Sequence, residues 1–175
     1  MSTWAFDNSH SNVSFSIKHM VVATVRGRFL TFEGAVAYDE SDPARSSVSA
    51  TMQAASIDTD WDQRDAHLRS GDFLDVERFP VVTFRSTSVE PTGSRTARVH
   101  GDLTIRDVTK PVILDAELVG FVKGMQGERR AAFEARTRID REAWGLTWNV
   151  GLEAGGVLVG KELKIEIEVE ATEAA

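Results

Sequence analysis

ELKIEIEVE, residues 162–170, decides the fold: Leu163, Ile165, Ile167 and Val169 alternate with Lys164, Glu166, Glu168 and Glu170. Side chains of a strand point to opposite faces in turn, so this period of two makes one face apolar and the other charged. The residues predict a half-buried β-strand with one face on a core and one in water.

The same alternation recurs upstream. Asn12–His19 places Val13, Phe15, Ile17 and His19 on one face, and Arg28–Tyr38 repeats the pattern through Leu30, Phe32, Gly34, Val36 and Tyr38. Ser46–Ile57 carries Val48, Ala50, Met52 and Ala54, and Val81–Val89 follows after a helical interruption. Arg95–Ile105 alternates through Ala97, Val99, Gly101, Leu103 and Ile105. Pro111–Lys123 carries Val112, Leu114, Ala116 and Leu118, and Ala131–Ile139 carries Phe133, Ala135 and Thr137. Turn chemistry such as DESDPAR, PTGS and GMQGE separates most of these runs. Eight strands at short spacing, without repeats or a linker, predict one all-β domain over residues 1–175, an antiparallel barrel or sandwich.

The size of the inner-face residues separates a filled barrel from a hollow one. Ala50, Ala54, Ala97, Gly101, Ala116, Ala131 and Ala135 are small. Eight strands enclose a space that side chains fill or that holds one ligand, and small inner residues favour the cavity.

Composition narrows the function. The 175 residues contain no cysteine, which excludes disulfides, thiolate metal sites and a Cys nucleophile. A net charge of −7 with scattered Lys and Arg argues against nucleic acid as partner. No apolar run reaches the ~20 residues of a membrane-spanning helix, and MSTWAFDNSHSN has neither a basic nor an apolar leader region. The expected location is therefore the cytoplasm.

The interruption, TDWDQRDAHLRSGDFLDVERFP (residues 59–80), reads as a short helical insertion over about residues 60–79. A helix from Trp61 to Ser70 is expected, with Asp60 as N-cap, Gln63 three residues on, an Asp65–Arg69 ion pair, and Trp61 and Leu68 facing one end of the barrel. His67 fits a residue that fixes a turn through a carbonyl or carboxylate, or, in an enzyme, a general base. His19 shares the apolar face of Phe15 and Ile17, as a core histidine or a polar anchor in a cavity.

Other candidate chemistry is weak. Asp7-Asn8-Ser9-His10-Ser11 holds the residue types of a hydrolytic triad, but in an extended segment His10 points away from Ser9 and Ser11. Gly155 to Glu162, GGVLVGKE, has Glu162 where a phosphate-binding loop needs Ser or Thr, and a strand follows instead of a helix. No two histidines share metal-ligand spacing. Neither a metal ion nor a cofactor is expected.

Five stretches, HSNVSFSIKHMVVATVRGRF, DQRDAHLRSGDFLDVERFP, GDLTIRDVTKPVILDAEL, WGLTWN and GGVLVGKELKIEIEVEA, resemble the YceI-like family over nearly the whole chain. The resemblance implies an eight-stranded antiparallel lipocalin-like barrel whose apolar tunnel holds a polyisoprenoid, an isoprenoid quinone or a similar long-chain lipid. It also implies a homodimer and no established enzyme activity, and many relatives are exported. On this reading the ligand-binding wall comprises Phe15, Ile17, Met52, Phe84, Val99, Leu103, Leu114, Phe133, Ile165 and Ile167, with His19 near a head group. Two rivals remain. One is an enzyme acting on an isoprenoid or other amphiphile with His67 and nearby carboxylates as acid and base; the other is a filled barrel serving as an interaction module.

Overall fold

In the computed structural model, which describes residues 1–153 and 155–175, ELKIEIEVE lies within the last of eleven strand segments. These are β1 (Ser2–Phe6), β2 (Asn12–His19), β3 (Ala23–Phe29), β4 (Phe32–Tyr38), β5 (Ser47–Gln53), β6 (Ile57–Asp58), β7 (Val81–Pro91), β8 (Thr96–Ile105), β9 (Val108–Lys123), β10 (Arg129–Asp140) and β11 (Glu162–Glu173). The sheet runs β1-β4-β5-β7-β8-β9-β10-β11 and closes by pairing β11 with β1.

The extra segments are halves of broken strands. β11 pairs with β1 at Ala171↔Phe6 and with β2 at Glu168↔Asn12, so β1 and β2 occupy one barrel position on either side of a single 3₁₀ turn, Asn8–His10. β3 continues into β4 and β5 into β6 in the same way. Their breaks are bonded together: Leu30 N–H donates to Ser56 O (3.1 Å) and Thr31 N–H to Ser56 Oγ (3.0 Å). Leu30 sits at that corner and is exposed, where the sequence pattern places it inward. The result is a closed eight-strand antiparallel barrel, in which the β11–β1 pairing joins what would otherwise be the two edges of the sheet.

The two ends differ. At one lie the β2–β3 turn, the Arg106–Asp107 turn, the connection from β10 to β11 and α1 (Asp62–Arg69). At the other lie both termini and the remaining turns. That far end holds a second apolar cluster: Trp4, Ala131, Val169 and Ala171 are buried there, with Phe121 5.5 Å from the Trp4 ring and the Arg129 guanidinium over both rings.

α1 departs from the expected capping. Trp61 holds the N-cap position without a side-chain bond, and Asp60 sits outside it at φ 62°, its N–H donating to Asp58 Oδ1 (2.9 Å). The working carboxylate is Asp65. It is buried and accepts from Thr59 N–H (2.8 Å) and Thr59 Oγ (2.6 Å). An Asp65–Arg69 pair is therefore absent among the described residues. An exposed i,i+4 pair is worth only ~0.3 kcal/mol, whereas leaving buried donors unpaired costs ~1–3 kcal/mol each.

Candidate functional site

The inward faces of the strands enclose a cavity of about 590 Å³ along the barrel axis. From β2, Phe15, Ile17 and His19 reach its wall; Met52 comes from β5 and Phe84 from β7. Val99 and Leu103 on β8, Leu114 on β9, Phe133 on β10, and Ile165 and Ile167 on β11 complete the residues expected there. Alternation along ladders in fixed register puts these side chains on one inner surface.

Two devices keep the lumen open. Ala97, Ala116 and Ala135 are paired in register across β8, β9 and β10 and all face the cavity, forming a row of methyl groups. In addition, Phe6, Phe15 and Phe84 lie over Gly34, Gly27 and Gly101. A Cβ at Gly101 would meet the Phe84 ring and come within 2.6 Å of Arg85 O. The glycines let these rings lie against the wall instead of across the lumen.

Polar groups on the cavity wall gather toward its ends. At the α1 end His67 Nε2 is 2.8 Å from Asp72 Oδ2, and its ring makes T-shaped contacts with Trp148 (4.5 Å) and Phe73 (5.1 Å). Arg64 is tied to Thr59 through Oγ (2.7 Å) and O (2.6 Å). Arg141 is buried and has no carboxylate partner among the described residues. It donates to Gly160 O (2.7 Å), Leu146 O (2.5 Å) and Val159 O (3.4 Å). Burial pushes its pKa below the usual arginine value, against the pull of Glu142 and Asp140.

The YceI-like domain family matches residues 4–171. The chain belongs to the YceI-like family. A UPF0312 protein of Staphylococcus aureus (bovine strain RF122 / ET3-1) is 38% identical over 171 residues, covering 97% of each chain. Among solved structures, Burkholderia cenocepacia BcnA is similar at TM-score 0.83 and 25% identity, covering 95% of this chain and 99% of that one. A polyisoprenoid binding domain from Saccharophagus degradans shares the fold at TM-score 0.73 and 11% identity, covering 99% and 100%.

The rest of this YceI-like barrel bears on catalysis. Asp7, Ser9 and His10 do meet, because the 3₁₀ turn bends a segment expected to be extended: Asp7 Oδ2 and Ser9 Oγ lie 2.9 and 3.1 Å from His10 Nδ1. Both address the same ring nitrogen, however, whereas a nucleophilic relay needs the hydroxyl on one nitrogen and the carboxylate on the other. Ser9 Oγ also donates to Asp7 (2.6 Å), which with His10 and Arg130 holds the Asp7 carboxyl far below the usual range. Asp7, His10 and Glu170 form a geometric candidate for a cation, but Arg130 Nη1 already bonds Asp7 (2.9 Å) and Glu170 (2.5 Å).

His67 packs edge-on against Trp148 and Phe73 and bonds Asp72. His67→Ala is expected to lower stability by ~1 kcal/mol, through lost aromatic packing and the Asp72 bond. Thermal denaturation measures it, and an unchanged melting temperature would remove the packing role.

Sequence reasoning missed the roof. Leu146, Trp148, Leu158 and Val159, from the segment joining β10 to β11, also line the cavity. That segment has no period to read. Arg141, at the end of a charged strand, reads as a surface residue.

Proposed function

We propose that the barrel binds one long apolar chain of isoprenoid type, a polyisoprenoid or the tail of an isoprenoid quinone, and carries it without chemical change. The single observation behind this is the 590 Å³ axial cavity, whose wall between its ends is almost wholly carbon. Dividing 590 Å³ by the ~30 Å³ share of one liquid water gives room for about 20 heavy atoms. At ~0.3 kcal/mol per heavy atom this supplies ~6 kcal/mol, a dissociation constant of tens of micromolar, with no charged anchor in the lumen.

The engagement of the candidate acid–base groups supports a carrier over an enzyme. His67 bonds Asp72 through Nε2, but no hydroxyl or amine is bonded to its other ring nitrogen among the described residues, and Asp65 is engaged by Thr59. Asp7, Ser9 and His10 are bonded to one another, and none of the three lines the lumen. The same fold in Saccharophagus degradans is described as polyisoprenoid binding; for this chain the ligand class rests on the shape and chemistry of its own lumen.

Native mass spectrometry of protein purified from its own host, followed by organic extraction, tests the reading. The expected result is a one-to-one complex releasing an isoprenoid lipid. Protein that carries no lipid and takes up no polyprenol from detergent solution would sink the proposal.

A further inference from the structure

The β2–β3 turn exposes three consecutive apolar residues: Met20 (49% exposed), Val21 (65%) and Val22 (81%). Met20 at φ 52° and Val21 at φ 69° are left-handed, which is costly for a β-branched residue. A turn of Asn and Gly would have served the hairpin alone. Here the chain holds apolar side chains out into solvent against local preference.

The turn does not stand alone. Met20 N–H donates to Leu158 O (2.8 Å), His19 pairs with Val159, and Gly156 leaves room for Val21 Cγ2. Leu158 N–H donates to Val150 O (2.8 Å), so exposed Val150 and Val157 extend the same surface. His19, Leu158 and Val159 line the cavity, and exposed Trp61 and Gln63 on the α1 side line it too. The apolar tip therefore borders one mouth of the lumen. The other end also exposes apolar residues, Met1, Val119, Val122 and Met125, but the exposed cavity-lining residues there, Ser47 and Gly93–Thr96, are polar or small.

Charge selects the occupant. The protein carries a net −7, yet between Asp7 and Glu33 there is no acidic residue, while Lys18, Arg26 and Arg28 flank the turn. Arg28 is paired with Asp58 (3.7 Å); Lys18 and Arg26 are exposed and without carboxylate partners among the described residues. Exposed acids lie at the same end, Glu153 between Val150 and Val157 and Asp60 and Asp62 beside Trp61, so the basic collar is confined to the β2–β3 turn. An apolar tip with such a collar matches the surface of an anionic bilayer, where apolar groups insert and Lys and Arg meet head groups.

We infer that the β2–β3 turn, with exposed Val150 and Val157 beside it, docks this protein on anionic lipid bilayers, placing the α1-end mouth against the membrane. This rests on the lipid-carrier reading, since each methylene moved from bilayer to water costs about fourfold in partition. Loading at the membrane surface avoids that transfer.

The test is co-sedimentation of the full chain with phosphatidylcholine vesicles, with and without one quarter phosphatidylglycerol, alongside uptake of a fluorescent anilinonaphthalene probe into the lumen. Binding to the phosphatidylglycerol vesicles, weakening with salt, is expected. Val22→Asp should weaken it about tenfold or more. Lys18→Glu with Arg26→Glu should abolish the preference for the anionic vesicles, with probe uptake and melting temperature unchanged in both variants. Val22→Ser, free of added charge, should weaken docking less and keeps the result independent of folding. Failure of the wild type to bind either vesicle while still taking up the probe overturns the docking and leaves the lumen reading standing. Docking without probe uptake does the reverse. Undiminished binding by Val22→Asp, or a wild-type dimer that Val22→Asp dissociates with no vesicle binding by either, also overturns the inference.

Discussion

Ala116→Phe is expected to weaken binding of an apolar chain about 30-fold while leaving the melting temperature unchanged or raised. Ala116 is the middle of the row Ala97, Ala116, Ala135, whose methyl groups face the cavity. A phenyl ring there enters open lumen. It displaces about six ligand heavy atoms, which at ~0.3 kcal/mol each is ~2 kcal/mol of lost affinity. The ring itself gains burial, so the fold is not penalised. The control is the same change at Ala131, which is 1% exposed and packed in the Trp4 cluster; there no space exists, and overpacking should cost ~1–3 kcal/mol or more. Denaturation and probe titration on the pair separate a hollow barrel from a filled one. Equal destabilisation at both positions would mean that the Ala116 row is packed, and the interaction-module reading would replace the carrier.

The strand pattern that carries this prediction was legible because period two is a local property: ELKIEIEVE needs no partner to declare its faces, and the wall residues Phe15, Leu103 and Ile165 follow from the same rule. The breaks between β1 and β2, β3 and β4, and β5 and β6 were not legible. Ser56 fixes the last two by bonding Leu30 and Thr31 across the sheet, which depends on pairing rather than on neighbours in sequence. The cap of α1 failed for a related reason. Asp60 has the right residue type at the right spacing, but Asp65 is drawn to buried Thr59. Ser9 and His10 show the converse: a three-residue turn undid the alternation that was expected to separate them. Within the lumen, residues on strands were found and residues on the roof were not, because the roof is held by single specific bonds.

Arg141 makes three of those bonds, as many as Asn149, and Arg141→Met is expected to destabilise the protein by ~3 kcal/mol. It should also raise amide exchange across residues 145–160 well above that of the barrel strands. Its guanidinium spans three carbonyls, those of Leu146, Val159 and Gly160, that lie at both ends of the roof segment. Hydrogen bonds from a charged donor contribute ~1.5–3 kcal/mol each, and methionine leaves these carbonyls without that donor. Opposing this, burying a guanidinium without a carboxylate costs several kcal/mol, and methionine of similar length removes that cost. Three bonds against one desolvated charge leave a net loss near the stated value. A variant more stable than the parent would mean that desolvation wins and that the arginine is retained for something other than holding the roof. The roof also carries Leu158 and Val159, which bond Met20 and pair with His19 at the lumen's mouth. Loosening it should therefore speed release of a bound chain more than it slows capture, because interactions made only in the bound state act chiefly on the dissociation rate. Stopped-flow displacement of a fluorescent apolar probe reads that difference, with Ala116→Phe as the variant that loses affinity while the roof stays intact.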